Sequence, residues 1–325
     1  MHRDDSSSAS KQTLWMFAGL LVVGSVAPFL MYPTFLMKVL CFALFACAFN
    51  LLLGFAGLLS FGHAAFFGGS AYITGYLCRD LGLTPELGVI AGGVFSGLLG
   101  GLFGWIAIRR AGIYFAMITL GLAQLVFFLA MQMSFTGGED GMQGIPRGML
   151  LGVFDLSDNI AMYFFVFAVF MAGFWLVYRT IHSPFGQILK AIRDNEARAI
   201  SLGYDVAKFK LLAFVISAAL AGMAGSTKAL VFQLASLGDV HWHTSGQVVL
   251  MTLMGGLGTV LGPVVGAATI IGLENLLADK VGSWVTVIMG GMFVVCVLAF
   301  RRGMVGELNA VINKNGLNRP GPGGH

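Results

Sequence analysis

Long apolar stretches, each near the length of a bilayer-crossing helix, recur along the whole chain and limit what it can fold into. They lie at residues 14–32, 35–53, 63–79, 87–108, 112–133, 159–178, 209–232, 246–277 and 283–300. About 20 helical residues cross the hydrocarbon core of a membrane. A helix satisfies its own backbone hydrogen bonds there, whereas an unpaired amide in lipid is strongly unfavourable. The sequence therefore predicts an all-α, polytopic transmembrane helical bundle.

The composition excludes an ordinary soluble domain. Hydrophobic residues make up 57% of the chain and charged residues 10%, whereas about 25% of residues are charged in a typical soluble domain. The four cysteines show no CxxC spacing, and no GxxxxGK[ST] phosphate loop occurs anywhere. We therefore expect no metal site, no cofactor and no Walker-type ATP site in this chain.

The distribution of basic residues predicts the topology, because cytoplasmic loops of membrane proteins are enriched in Lys and Arg. If the pairs Arg109–Arg110 and Arg301–Arg302, the polar stretch Arg179–Lys210 and both terminal tails face the cytoplasm, 14 of the 19 basic residues do so. Loop 134–158, with four acidic residues, then faces outward. Both termini are expected in the cytoplasm, with residues 1–13 and 307–325 as tails around a transmembrane domain at 14–306.

Stretch 246–277 does not fit this topology as a single crossing. It must begin and end on the outer side, yet two full crossings and a turn need about 40 residues, and it has 32. Its middle reads MGGLGTVLGP, which is a poor helix interior. We expect about eight full spans plus this pair of short or broken helices, which meet inside the membrane where protein or water surrounds them.

A second glycine-rich stretch, GFAGLLSFGHAAFFGGSAY, lies in the first half of the chain. Paired interrupted spans indicate a substrate pathway in secondary transporters, although glycines also allow close helix packing. Polar residues inside the spans either line such a pathway or bridge helices, and His63 either marks a functional site or bonds a neighbouring helix. The candidate pathway residues are Asn50, Gly57, Ser60, His63, Thr119, Gln124, Gly255 and Gly256.

Two other polar features are weaker candidates. Glu274 lies near the end of its span and either binds a substrate amine or reaches the membrane interface. His241 and His243 are separated by one residue in a short loop with no third ligand nearby, so a metal pair is not favoured.

The polar segment, defined as Arg179–Lys210, carries six Lys or Arg residues between apolar spans. Ser183 and Pro184 are a typical N-cap and first residue of a helix. That helix has one apolar stripe, formed by Phe185, Ile188, Leu189 and Ile192. Lys190 and Arg193 are expected to point away from the stripe.

A second short helix is predicted from Glu196 to Leu202, capped by Asp194 or Asn195 and ended by Gly203. An apolar stripe and two caps are not needed in a solvated loop, so we expect a docking element. The candidate docking residues of this element are Gln187, Lys190, Arg193, Asp194, Glu196, Arg198 and Gly203.

The stretch SPFGQILKAIRDNEARAISLGYDVAKFKLLAFVISAALAGMAG resembles the cytoplasmic signature of branched-chain amino acid ABC transporter permeases of the LivM type. Further matching stretches are NLLLGFAGLLSFGHAAFFGGSAY, GIYFAMITLGLAQLVFF with TGGEDGMQGIP, HWHTSGQVVLMTLMGGLGTVLGPVVGA, and RRGMVG. The resemblance runs from about Asn50 to Gly306. Several motifs in the same order make it specific.

This resemblance implies a multi-pass subunit of a bacterial inner membrane importer. Its partners would be a second homologous permease, two ATP-binding subunits that hold ATP and Mg²⁺, and a periplasmic substrate-binding protein that delivers leucine, isoleucine or valine. Membrane lipid surrounds it, and no nucleic acid is implied. Residues 179–208 would couple to the ATPase through an EAA-type motif, matched by Glu196, Ala197 and Gly203, with the glycine one residue later than in the usual spacing.

Other function classes stay open at this stage. Urea and short-chain amide permeases share much of the signature. A secondary transporter or channel would be expected to show a buried carboxylate or cation relay, and only Glu274 comes close. An intramembrane enzyme built on His63 or on His241 and His243 lacks a nucleophile or a complete metal set.

Overall fold

The computed structural model describes residues 4–150, 152, 154–281, 287, 288, 290, 291, 294 and 303–307. The named elements are mostly helices. In chain order they are α1 Asp4–Leu30, α2 Pro33–Asn50, α3 His63–Arg79, α4 Pro85–Ala107, α5 Ile113–Gln132, β1 Met142–Gln143, β2 Met149–Leu150, β3 Phe154–Asp155, α6 Asn159–His182, α7 Pro184–Asp194, α8 Glu196–Ser201, α9 Val206–Phe232, β4 Leu234–Ala235, α10 Leu237–Val240, α11 Trp242–Gly255 and α12 Gly262–Val281.

Five helical stretches within these described residues are long and apolar enough to cross a membrane. They are Pro33–Phe55, Pro85–Ala107, Ile113–Gln132, Asn159–His182 and Val206–Phe232. Helix α3 has 17 residues, and the apolar parts of α1 and α12 are shorter than a full span. The multi-span helical class is thus confirmed. The count of about eight full spans and the cytoplasmic termini stay predictions, and most of the expected span 283–300 lies outside the described residues.

The structure describes most of the first predicted tail and little of the second. Helix α1 begins at Asp4 and includes most of residues 1–13, and the place of these residues in a cytoplasmic tail stays a prediction. The predicted tail beyond residue 307 lies outside the described residues.

Helix α9 is the centre of the bundle, with α2, α3 and α4 packed around it. Small residues let these helices approach closely. A methyl group added at Gly225 of α9 would overlap the carbonyl of Phe67 on α3, and one at Gly100 of α4 would overlap Ala218 of α9. The fold therefore depends on glycine at these crossings.

Two interruptions divide the helices. Helix α2 continues through a π-helical turn, Leu51–Phe55, and the chain is then non-helical over residues 57–62, which we name the first break. Helix α11 ends at Gly255 and α12 begins at Gly262, so residues 256–261 form the second break. The predicted interruption of 246–277 is confirmed.

The end of α9 away from the polar segment is held by the loop between α5 and α6. Strand β1 of this loop pairs with β4, which follows α9 directly. Arg147 donates a 2.9 Å hydrogen bond to the carbonyl of Val231 in the last turn of α9. A nearly buried ion pair lies beside this contact, with Lys228 Nζ 2.6 Å from Asp239 Oδ2. These contacts fix α10 and the loop to the bundle.

Candidate functional site

The polar segment folds into the two capped helices that the sequence predicts. The Ser183 hydroxyl accepts a hydrogen bond from the Gly186 amide, and Pro184 is the first residue of α7. The Asn195 side chain accepts from the Arg198 amide and caps α8. Gly203 has φ +86°, the left-handed conformation that favours glycine just beyond a helix. Asn195, rather than Asp194, is the second cap.

The apolar stripe of α7 faces the bundle of the same chain. Leu189 belongs to the main hydrophobic core, and Ile192 is buried against Ala199 of α8 and Val206 of α9. Phe185 stacks on Phe209 of α9. The sequence interpretation of the stripe is that it serves docking to another protein. The structure corrects this interpretation, because the stripe holds α7 against its own bundle.

Two basic side chains of α7 contact the chain just before the first break. The ammonium of Lys190 lies 5.6 Å from the centre of the Phe55 ring, within the range of a cation–π contact. Arg193 Nη1 donates a 2.6 Å hydrogen bond to the Gly54 carbonyl, while its Nε and Nη2 contact Asp194 Oδ1. Both basic side chains of α7 therefore contact the membrane domain.

Helix α8 is tied to α9 by an ion pair. Glu196 Oε1 lies 2.8 Å from Nζ of Lys210, whose side chain is 9% exposed. Next to it, Asp205 caps α9 by accepting from the Lys208 amide. Hydrogen bonds from the side chain and then the backbone of Lys208 lower the pKa of Asp205 below its ordinary value. The ion pair between Glu196 and Lys210 therefore fixes the position of α8 against α9.

The exposed face of the polar segment carries three large apolar side chains that sequence reasoning missed. Ile200, Leu202 and Tyr204, here named the apolar tip, are 59%, 69% and 40% exposed. Gln187 and Arg198 are also exposed. The stretch ISLGY, which holds all three of these apolar residues, is the sequence signal that could have indicated this surface. Neighbouring exposed apolar side chains are typical of a surface that binds another protein.

The predicted pathway residue Asn50 joins the two halves of the chain. Its Nδ2 donates to the Thr259 carbonyl at 2.8 Å, and its Oδ1 accepts from the Gly258 amide at 3.0 Å. Asn50 itself is 1% exposed. Both ends of its amide are thus occupied by the second break, so Asn50 bridges helices.

Ser60, Gly57 and Thr119 shape the first break. Gly57 has φ +72°. The Ser60 hydroxyl accepts from the Gly62 amide at 3.1 Å, and Thr119 Oγ1 of α5 accepts from the Phe61 amide at 3.2 Å. These hydrogen bonds satisfy backbone amides that the break leaves without helical partners.

His63 lies in the core at the start of α3, surrounded by the rings of Phe49, Phe66 and Phe214. Its Nε2 is 2.8 Å from Ser217 Oγ, and that hydroxyl donates to the Ala48 carbonyl. Since a hydroxyl has one proton, the network assigns the N–H to His63 Nε2. The structure favours the helix-bonding alternative for His63.

The remaining candidates are dispersed. Gly255 ends α11 and Gly256 follows it with φ +123°. Gln124 is half-buried on α5, and no hydrogen bond joins it to the other pathway candidates described here. Glu274 accepts from Lys38 at 3.5 Å and from Gln247 at 3.4 Å, which links α12 to α2 and α11.

His241 contacts its neighbour His243 and helix α5. Its Nδ1 accepts from the His243 amide, and its ring packs against Phe127 of α5. No group of three potential metal ligands occurs among the described residues.

These features define a class of protein. Several membrane-length helices surround two interruptions that meet at Asn50, and a polar segment with an exposed apolar tip packs against the bundle. This is the organisation of a multi-pass helical membrane protein.

Comparison with known proteins gives the family. The family model described as branched-chain amino acid transport system / permease component matches residues 31–298. The high-affinity branched-chain amino acid transport system permease protein LivM of Salmonella typhimurium is 26% identical, and that of Escherichia coli 25%. Each alignment covers 92% of this chain and 76% of the relative.

A more distant relative is the autoinducer 2 import system permease protein LsrC of Klebsiella pneumoniae, 29% identical over 65% of this chain and 59% of the relative. No solved structure matches this chain significantly. The chain belongs to the branched-chain amino acid ABC transporter permease family.

Proposed function

We propose that this chain is a permease subunit of an ATP-driven importer for leucine, isoleucine and valine in a bacterial inner membrane. The observation that carries the substrate class is the similarity to two LivM proteins over 92% of the chain. In such a subunit, the hydrogen bonds of Asn50 would connect the two breaks inside the membrane domain.

The polar segment is proposed to face the cytoplasm and to dock on an ATP-binding subunit, which would hold ATP and Mg²⁺. The apolar tip and Arg198 are exposed, whereas Glu196 and the stripe hold the segment to the bundle. A second homologous permease and a periplasmic binding protein would complete the importer. Both chain termini are proposed to be cytoplasmic.

Uptake measurements test the substrate. The complete importer, reconstituted with its partner subunits in liposomes, is expected to take up radiolabelled leucine when ATP is supplied. Unlabelled isoleucine and valine are expected to compete, while urea and acetamide are not. Competition by urea or acetamide alone would assign the subunit to amide transport.

Co-purification tests the docking surface. Leu202→Asp is expected to remove the ATP-binding subunit from the purified permease, because a carboxylate replaces the most exposed side chain of the apolar tip. Met149→Asp is the matched control, since Met149 is 57% exposed and lies in the loop before α6. Equal co-purification in both variants would contradict docking at the apolar tip.

A further inference from the structure

Arg193 has a different environment from the other exposed basic residues of the polar segment. Its guanidinium reaches from α7 to the Gly54 carbonyl. That carbonyl lies in the π-helical turn that ends α2, where helix carbonyls lack ordinary helical partners. A charged donor makes a stronger hydrogen bond than a neutral one. Arg193 therefore supplies a cap to the end of α2 from a separate segment.

The first break has space for this side chain because Gly57 has none. Gly57 has φ +72°, and a Cβ built there would lie 2.9 Å from Arg193 Cγ. One turn before Arg193, Lys190 contacts Phe55. Two residues on one face of α7 thus hold the chain at residues 54–57.

The second break meets the first at the same place. A Cβ built on Gly54 would lie 2.7 Å from the Gly258 amide nitrogen, and one built on Gly258 would lie 3.7 Å from Arg193 Nη1. Asn50 closes the contact through its hydrogen bonds to Gly258 and Thr259. Arg193 is consequently placed where the polar segment, the first break and the second break come together.

We propose that Arg193 is a positioning residue that transmits movement of the polar segment to both helix breaks, and that it is not part of the docking surface. This inference rests on the proposed function, because it assumes a partner that moves the segment. It separates two roles within the segment: the apolar tip and Arg198 bind the partner, and Arg193 carries the displacement into the membrane domain.

The test compares Arg193→Met with Arg198→Met in the complete importer, reconstituted with its partner subunits. Methionine keeps an apolar stem beside Gly57 and removes the hydrogen bonds. Arg193→Met is expected to retain the ATP-binding subunit and basal ATP hydrolysis, while leucine taken up per ATP falls on the order of tenfold, a typical coupling factor. Arg198→Met is expected to weaken retention of the ATP-binding subunit and to leave uptake per ATP of the assembled fraction unchanged.

Three outcomes overturn the proposal. Loss of the ATP-binding subunit from Arg193→Met would make Arg193 a docking residue, and unchanged uptake per ATP would remove its role in transmission. If the Arg193→Met permease does not fold, Arg193→Lys decides, because one ammonium cannot span Gly54 and Asp194 as the guanidinium does. Lysine is expected to give intermediate uptake per ATP, and wild-type coupling there would overturn the proposal.

The proposed function fails separately. A wild-type complex that lacks ATP-dependent uptake of any branched-chain amino acid contradicts it, whatever the Arg193 variants show. A wild-type importer with normal leucine uptake, in which Arg193→Met behaves normally, contradicts only the transmission role.

Discussion

Asn50 and Gly258 lie 208 positions apart in the chain, and the Gly258 amide donates a 3.0 Å hydrogen bond to the Asn50 side-chain carbonyl. This contact joins the end of α2 to the loop between α11 and α12. Together with the bond from Asn50 to Thr259, it fixes the two breaks against each other.

Replacing Asn50 tests the contact between the two breaks. Asn50→Ala leaves the partly buried Gly258 amide and Thr259 carbonyl without this partner, which is expected to cost about 1–3 kcal/mol of stability. The measurement is the thermal unfolding midpoint of the purified permease in detergent. Gln124→Ala is the control, because no hydrogen bond among the described residues links Gln124 to either break. A larger loss in the control would argue against the bridge.

Gly225 tests the packing of α9 on α3. Gly225→Ala places a methyl group against the Phe67 carbonyl, and such overpacking is expected to cost about 1–3 kcal/mol. Gly121→Ala on α5 meets no atom within 4 Å, so it is expected to be neutral or stabilising by up to about 1 kcal/mol. Midpoints that fall equally in both variants would contradict the close helix contact.

The Lys228–Asp239 ion pair is expected to matter far more than a surface pair. Its side chains are 12% and 10% exposed, and removing one partner of a buried pair costs about 3–5 kcal/mol. Asp239→Asn is therefore expected to lower the unfolding midpoint strongly. Lys208→Ala breaks a pair whose side chains are 79% and 50% exposed, with an expected change below about 1 kcal/mol. Similar shifts for the two would show that the buried pair is replaceable.

Ser217 distinguishes a structural from a transport role for His63. Ser217→Ala removes the partner of His63 Nε2 and the donor to the Ala48 carbonyl, which is expected to lower stability by about 1–3 kcal/mol. Ser201→Ala, on the exposed helix α8, is expected to change little. Reduced leucine uptake in Ser217→Ala without any loss of stability would indicate a pathway role instead.

Local features of this fold could be predicted from the sequence. Ser183, Asn195 and Gly203 act on residues within one or two turns, so their capping roles follow from the residue type and its neighbours. The interruption at 256–261 follows from the local density of glycine and from Pro263. The multi-span class follows from the lengths of the apolar stretches.

Partners distant in the chain could not be predicted. The periodicity of α7 shows that Leu189 and Ile192 share a face, but periodicity does not say whether that face meets the same chain or another protein. Arg193 and Gly54 are 139 positions apart, and Glu196 has several basic residues nearby in sequence. Only the three-dimensional arrangement selects Gly54 for Arg193 and Lys210 for Glu196.

Helix α9 runs without interruption for 27 residues, roughly 40 Å at the usual rise per residue. Lys210 near its first turn holds α8, and Val231 near its last turn holds Arg147 of the loop before α6. The same continuous helix therefore contacts two distant surfaces of the protein. Thermodynamic linkage is reciprocal. If a ligand bound at one of these surfaces changes affinity at the other through this helix, a ligand bound at the second surface changes affinity at the first by the same factor.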